Sequence, residues 1–135
     1  MRKEDHMESN LEVIHELYRS FKEKDYESFK KICDQNIIWS QSPGFPKGNS
    51  YKGAEEVVEN VFKAFDDSWK EWTFTINKYH EAGDTIIVTG QYEGKHKITG
   101  KRFVSEAVHV YEVKDEKIVS FQQYADSKVI WDAME

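Results

Sequence analysis

The chain has 135 residues, which fits one domain, and a formal net charge of −6 at pH 7, which leaves no basic surface for a nucleic acid. One cysteine, Cys33, excludes an internal disulfide, and no apolar stretch reaches the roughly 18 residues of a membrane span. The N-terminus lacks the apolar core of a signal peptide, so we expect a cytoplasmic protein with no membrane partner. Only two residues are Leu, against 21 Val plus Ile and 19 aromatic residues, and this bias favours a sheet with helices on it.

The first predicted elements in chain order are two helices. We expect the charged residues 1–8 to be frayed, which leaves residues 9–135 as one domain. Ser9 and Glu12 have the spacing of a capping box, and apolar residues then recur at helical spacing. A second, short helix follows over residues 25–33.

The middle of the chain predicts a strand, a loop and a third helix. The short strand covers residues 37–42. Residues 43–53 contain both prolines and two aromatics, and a loop of this length indicates a lid or rim more than a linker. The third helix covers residues 54–68, and its apolar stripe continues to Trp69.

From Trp72 onward, the apolar period changes from that of a helix to that of a strand. Four strands follow, and the short turns between consecutive strands predict antiparallel pairing. The element order is therefore α-α-β-α-β-β-β-β. The fold class is α+β, with helices on one face of a curved antiparallel sheet.

The strand over residues 103–113 carries apolar side chains on both faces. One layer of three helices covers only one face of a sheet. We therefore expect a homodimer in which the second copy covers the other face.

Seven local strings carry a resemblance to a known family: Leu17 to Tyr26, Ile38-Trp39, Tyr51 to Val57, Thr99 to Lys101, Ala107 to Val110, Asp115 to Ile118 and Gln123 to Asp126. Their order and spacing resemble the SnoaL-like group, which is related to polyketide cyclases and ketosteroid isomerases within the nuclear transport factor 2-like superfamily. The resemblance covers roughly residues 10–130. It implies a cone, in which a curved antiparallel sheet with a mixed edge wraps around three N-terminal helices and an apolar pocket opens at one end.

The same resemblance supplies a candidate catalytic pair. His109 matches the strand histidine of the cyclases, and Asp126 matches their acid/base aspartate near the end of the last strand. An apolar pocket raises the pKa of a carboxyl group toward neutrality, so such a group can both take and give a proton. The alternative is that His109 is a buried histidine with satisfied hydrogen bonds and that Asp126 caps a C-terminal segment.

Further aromatic and polar residues are candidates for the wall of the pocket. Strand alternation places Gln122, Tyr124 and Asp126 on one face, with Gln123 on the other. The five histidines show no spacing typical of metal ligands, and we expect no metal and no cofactor. The predicted ligand-binding set is Trp39, Gln41, Phe62, Tyr92, Gln122 and Tyr124.

The ketosteroid isomerase version of the site is not present in the sequence. The stretch from Ser40 to Pro43 has no carboxylate where the isomerases have their general base, and their oxyanion tyrosine falls on Leu17, next to Tyr18. Two hypotheses remain. The first is cofactor-free acid/base catalysis, of cyclase, isomerase or dehydratase type, on a small apolar carbonyl compound. The second is a non-catalytic module that binds a small ligand or acts through its dimer face.

Overall fold

The computed structural model of this protein describes residues 9–135, and the prediction for residues 1–8 lies outside them. The helices are joined to strands by short connections, and a π-helical turn, Val58–Phe62, links two of the helices. The elements in chain order are α1 (Asn10–Lys22), α2 (Tyr26–Ile32), β1 (Cys33–Ser40), β2 (Ser50–Lys52), α3 (Ala54–Val57), α4 (Lys63–Ser68), β3 (Trp69–Ala82), β4 (Thr85–His96), β5 (Arg102–Lys114), β6 (Lys117–Ala125) and α5 (Ser127–Ala133).

The six strands form one curved, unclosed sheet in the order β2-β1-β6-β5-β4-β3. The pair β1–β6 is parallel, and the other four pairs are antiparallel. This arrangement confirms the predicted α+β class and the mixed edge.

Several element boundaries differ from the sequence prediction. The strand β2 was not predicted, since its three residues lie in the Pro- and Gly-rich loop, and it forms only by pairing with the edge of β1. The helix α5 was not predicted as a helix either. Trp69 was assigned to the third helix, but it begins β3, where it pairs with His96.

The N-terminal end of α1 has the predicted capping box. The Ser9 hydroxyl oxygen accepts a hydrogen bond from the Glu12 backbone N–H at 3.1 Å, and the Glu12 carboxylate accepts one from the Ser9 backbone N–H at 3.0 Å. Two N–H groups that the helix itself leaves unpaired are thereby satisfied. None of the helices over residues 9–135 is long and apolar enough to cross a membrane.

The main core lies between the first helices and the concave face of the sheet. The fully buried side chains there include Ile14, Phe29 and Ile86. A second cluster of buried residues lies around Phe45, Trp69, Tyr92, Phe103 and Ile130, toward the last helix. The concave face therefore carries two adjoining apolar clusters.

An irregularity in β3 places two tryptophans in that second cluster. The pairing of β3 with β4 shifts register between Lys70 and Thr73, and Glu71 lies in the left-handed region with φ of 58°. In a regular strand, residues three apart point to opposite faces. The bulge removes this alternation, so Trp69 and Trp72 pack against each other with a ring-centroid distance of 5.4 Å.

Candidate functional site

A hydrogen-bonded chain of polar side chains runs through the apolar interior of the cone. His109 on β5 is buried, and its Nδ1 lies 2.6 Å from the Tyr18 hydroxyl on α1. Its Nε2 lies 2.6 Å from the Tyr92 hydroxyl on β4. The Tyr111 hydroxyl donates to the Tyr18 oxygen at 2.9 Å, and the Gln123 side-chain amide donates to the Tyr92 oxygen at 2.9 Å. We call these five side chains the His109 network.

Every ionisable group of this network is neutral at pH 7. Burial lowers the pKa of His109 to about 3, so its imidazole carries one proton. Burial raises the pKa of Tyr92, Tyr18 and Tyr111 well above their ordinary values, so all three phenols keep their protons. The network therefore offers hydrogen bonds, and it holds no charge.

The network contains more protons than it can use. Three phenols, one imidazole N–H and the two N–H groups of the Gln123 amide supply six protons for four hydrogen bonds. One of the two unused protons is on the Gln123 amide, and the other is phenolic. With the imidazole proton on Nε2, Tyr18 donates to Nδ1, and the Tyr92 O–H is left over. With that proton on Nδ1, Tyr92 donates to Nε2, and the Tyr18 O–H is left over. In either tautomer, one phenolic O–H has no acceptor within the network.

Aromatic rings hold the imidazole in place. The Phe74 ring is stacked on His109 with a centroid distance of 4.2 Å, and Phe121 lies edge-on at 5.0 Å. Gly90 allows this close approach, because a Cβ at that position would lie 2.7 Å from Cζ of Phe74 and 2.3 Å from the Thr75 carbonyl oxygen. The position of Phe74 over β4 thus depends on a glycine at position 90, which has no Cβ.

Two glutamines complete the polar side of the site. Gln41 is buried, and its side-chain oxygen accepts a hydrogen bond from Trp39 Nε1 at 3.0 Å. The Gln123 side-chain oxygen accepts one from the Ser42 backbone N–H at 3.1 Å. Both glutamine oxygens are therefore occupied.

Three spaces adjoin one another at the site. The inner cavity, of about 30 Å³, lies against the His109 network, and the outer groove, of about 710 Å³, runs between α1, α4 and β3. A lateral cavity of about 70 Å³ is lined in part by the loop that carries the buried Phe45. The inner cavity is lined by Leu17, Tyr18, Phe21, Trp39, Gln41, Val61, Phe62, Phe65, Phe74, Tyr92, His109, Tyr111 and Phe121.

The inner cavity and the outer groove share five aromatic residues, so the two spaces lie on opposite sides of the same side chains. The groove also has charged residues at its rim, where Arg19 is paired with Glu23 and Lys24 with Asp66. No carboxylate is among the residues that line the inner cavity. The shared aromatics are Tyr18, Phe21, Phe62, Phe65 and Phe74.

The structure brings five of the eight predicted site residues together. His109 lines the inner cavity with four residues from the predicted ligand-binding set, which are Trp39, Gln41, Phe62 and Tyr92. Their roles in binding stay predictions. Tyr18, Phe74, Tyr111 and Gln123 belong to the same site, and the sequence had not singled them out for it. One feature of the sequence could have indicated Tyr18: it is next to Leu17, the position that matches the oxyanion tyrosine of the isomerases.

The other three predicted residues are not among those that line the inner cavity with His109, which corrects the expectation of a shared pocket. Asp126 is exposed and occupies the N-cap position of α5, without a hydrogen bond from its side chain to that helix. Tyr124 is exposed and Gln122 partly so, while Gln123 is fully buried. The predicted alternation is present, but the buried face is that of Gln123.

A bulge explains this reversal. At the turn Lys114 pairs with Lys117 and Val113 with Ile118, which in a regular hairpin would place His109 opposite Gln122. The register shifts by one residue between Glu112 and Val113, and His109 pairs with Gln123 instead. A shift of one residue turns the rest of a strand over. Within residues 9–135, no His, Cys, Asp and Glu side chains are grouped as a metal site.

The fold and the cavity together define a cone-shaped α+β domain of the NTF2-like class. The family model of the SnoaL-like domain matches residues 14–121, and the chain belongs to this family. The crystal structure of an NTF2-like protein from Burkholderia thailandensis has 32% sequence identity and a TM-score of 0.91, over 96% of this chain and 99% of that chain.

Two further solved structures share the fold. A protein of ketosteroid isomerase-like fold from Catenulispora acidiphila, in complex with trimethylamine, is 18% identical with a TM-score of 0.78, over 91% of this chain and 92% of that chain. TerC, co-crystallised with polyporic acid, is 19% identical with a TM-score of 0.80, over 93% of this chain and 97% of that chain. At these identities the likeness shows the fold alone. No curated protein sequence matches the chain.

Proposed function

We propose that this domain binds a small, planar, apolar molecule that carries a carbonyl oxygen. The observation that carries the proposal is the unused phenolic proton of the His109 network, which Tyr18 or Tyr92 presents at the inner cavity in either tautomer. A buried donor without an acceptor costs about 1–3 kcal/mol, and a ligand oxygen in the inner cavity would recover that cost.

The volumes of the inner cavity and the outer groove indicate where each part of the ligand would bind. About 30 Å³ in the inner cavity accommodates one oxygen-sized group, and a water there would serve the same donor in the free protein. The outer groove, at about 710 Å³, falls within the range of sites for small organic molecules, and it shares aromatic side chains with the inner cavity. The apolar body would lie in the groove, with its carbonyl oxygen directed inward.

Binding fits this site better than acid/base catalysis. Asp126, the predicted acid/base group, is exposed at the start of α5, and His109, with a pKa of about 3, is a weak base. A general base must reach the proton that it removes. The polar groups at the inner cavity can hold and polarise a carbonyl, and none of them is a carboxylate.

A pair of probes that differ only in the acceptor tests the proposal. 2-Acetylnaphthalene carries a carbonyl, and 2-ethylnaphthalene has nearly the same shape without it. Calorimetric titration should give an affinity for the ketone about 3- to 10-fold higher, which corresponds to one net hydrogen bond. Equal affinities, or no binding of either probe, would refute the proposal.

Two variants test whether the preference for the ketone comes from the His109 network. The double variant Tyr18→Phe/Tyr92→Phe removes both phenols that can present the unused proton, and it should show a smaller preference for the ketone. The donors that it frees, on His109 and Tyr111, are directed at the lost hydroxyl groups and not at the ligand. The control is Tyr111→Phe, which removes the terminal donor and leaves the surplus proton in place, so it should keep the preference for the ketone. Retained binding of 2-ethylnaphthalene by the double variant would show that its site is folded.

We also propose that the domain is a homodimer joined through the convex face of its sheet. Exposed apolar side chains on that face favour a protein partner, with exposed fractions of 52% at Val104 and 58% at Tyr124. Ile38 on β1 is 40% exposed and extends this surface. A second copy of the chain would cover all three, because a two-fold interface presents the same surface from both sides.

A further inference from the structure

Among the described residues, Phe65 alone lines the inner cavity, the lateral cavity and the outer groove. It lies on α4, three residues after the end of the π-helical turn, and its side chain is partly buried. Its ring therefore forms the common wall of all three spaces. A change of its rotamer would join them.

The Phe65 ring also covers one face of an indole. It is stacked on Trp72 with a centroid distance of 4.2 Å and an interplanar angle of 16°. This is the geometry in which a planar aromatic ligand stacks on a tryptophan. Trp72 itself lines the lateral cavity and the outer groove.

Trp72 has an unused polar group as well. Its Nε1–H is buried and has no hydrogen-bond partner, and it is the one such side-chain atom found within residues 9–135. Its ring neighbours are aromatic: Phe45 lies edge-on at 6.0 Å and Tyr92 lies at 5.2 Å. Such an N–H gains free energy from any acceptor placed within its reach.

We propose that Phe65 is the specificity-determining residue of the site, because its ring stands where the ring of a planar ligand stacks on Trp72. The inference rests on the proposed function and adds to it a gate and a stacking partner. When Phe65 swings away, the ligand ring takes its place on the indole, and the groove becomes continuous with both cavities. A ligand with a second acceptor at its ring edge would also pair with the Trp72 N–H.

The gate is tested by the rate and the size selectivity of binding. The ring of Phe65 limits both in the wild-type protein. Phe65→Ala should associate with 2-acetylnaphthalene about tenfold faster in stopped-flow fluorescence, and it should bind the longer 2-acetylanthracene, which the wild-type protein binds weakly. The matched control is Tyr79→Leu, because Tyr79 is a partly buried aromatic residue that lines none of the three spaces, and this variant should keep the wild-type rate.

The stacking partner is tested separately. Trp72→Phe keeps an aromatic ring and removes the N–H, so it should weaken binding of 1,4-naphthoquinone, which has two acceptors, more than binding of 2-acetylnaphthalene. Equal weakening of both probes would overturn the role of the N–H. Near-ultraviolet circular dichroism checks whether Phe65→Ala is folded. If it is not, Phe65→Leu replaces it in the test of the gate, because a leucine side chain cannot stack on Trp72.

The outcomes separate the two proposals. If the wild-type protein binds 2-acetylnaphthalene and the Phe65 variants show the same rate and size selection, the gate is refuted and the proposed function stands. If neither the wild-type protein nor the Phe65 variants bind the ketone, the proposed function is refuted, and the gate with it.

Discussion

The Tyr92 hydroxyl lies 2.6 Å from Nε2 of His109, inside an apolar cone. Since burial keeps the imidazole uncharged, the direction of this hydrogen bond depends on the tautomer of His109. The tautomer therefore decides whether Tyr92 or Tyr18 has a free O–H. In the proposed function, the histidine is a positioning residue, because its tautomer sets which phenolic O–H is free to face the inner cavity.

Because His109 is buried and neutral, we expect acid to lower the free energy of unfolding. The pKa of His109 falls from 6.5 to about 3 on folding, so below about pH 6.5 the unfolded chain binds a proton that the native protein does not. The free energy of unfolding should fall by about 2 kcal/mol from pH 6.5 to pH 5 through this group. Above pH 7 its contribution is constant. Urea unfolding at both pH values measures the change.

The variant His109→Gln isolates this effect. Its amide can still hydrogen-bond, but it does not titrate, so the part of the pH dependence due to His109 should disappear while that of all other groups remains. A variant with the same slope as the wild-type protein between pH 6.5 and pH 5 would show that His109 is not the responsible group.

Gly90→Ala should destabilise the protein by about 1–3 kcal/mol, the usual cost of overpacking. The new methyl group would overlap Phe74 and the Thr75 carbonyl, and Phe74 would move away from His109. Thermal unfolding measures the loss. Gly44→Ala is the control, because a Cβ there comes no closer than 3.8 Å to Ser127, and it should leave stability nearly unchanged.

Asp126→Asn should leave both stability and ketone binding unchanged. The side chain is exposed and makes no cap hydrogen bond, and surface changes of this kind usually stay within about 0.5 kcal/mol. Chemical denaturation and the titration with 2-acetylnaphthalene check this expectation. A large loss of binding would show that Asp126 does contribute to the ligand site.

The convex sheet face should hold two copies together. Light scattering after size exclusion should give about twice the chain mass of 15.9 kDa. The double variant Val104→Lys/Tyr124→Lys should give the monomer mass, because it places charges in the interface. Ile98→Lys is the matched control, since Ile98 is 90% exposed in the turn between β4 and β5 and should leave the dimer intact. A wild-type monomer would refute the dimer.

The sequence predicted the fold better than the site. The capping box at Ser9, the change of period at Trp72 and the short turns between strands were sufficient for the class and for most elements. These signals are local, and each acts within a few residues. Three residues such as those of β2 form a strand only because an edge of the sheet lies beside them.

The site depends on two bulges that no local pattern shows. One reverses the face of β6, so that Gln123 joins His109 and Asp126 lies outside. The other, at Glu71, places Trp69 and Trp72 in one cluster. Both follow from pairing with distant strands, and a regular alternation therefore predicts the wrong face.

The infrared carbonyl band of bound 2-acetylnaphthalene tests the central claim most directly. A hydrogen bond from Tyr18 or Tyr92 weakens the C=O bond, so the band should lie at a lower wavenumber in the wild-type protein than in Tyr18→Phe/Tyr92→Phe. A band at the same position in both proteins would contradict the claim that the His109 network donates a hydrogen bond from its spare phenolic O–H to the ligand carbonyl.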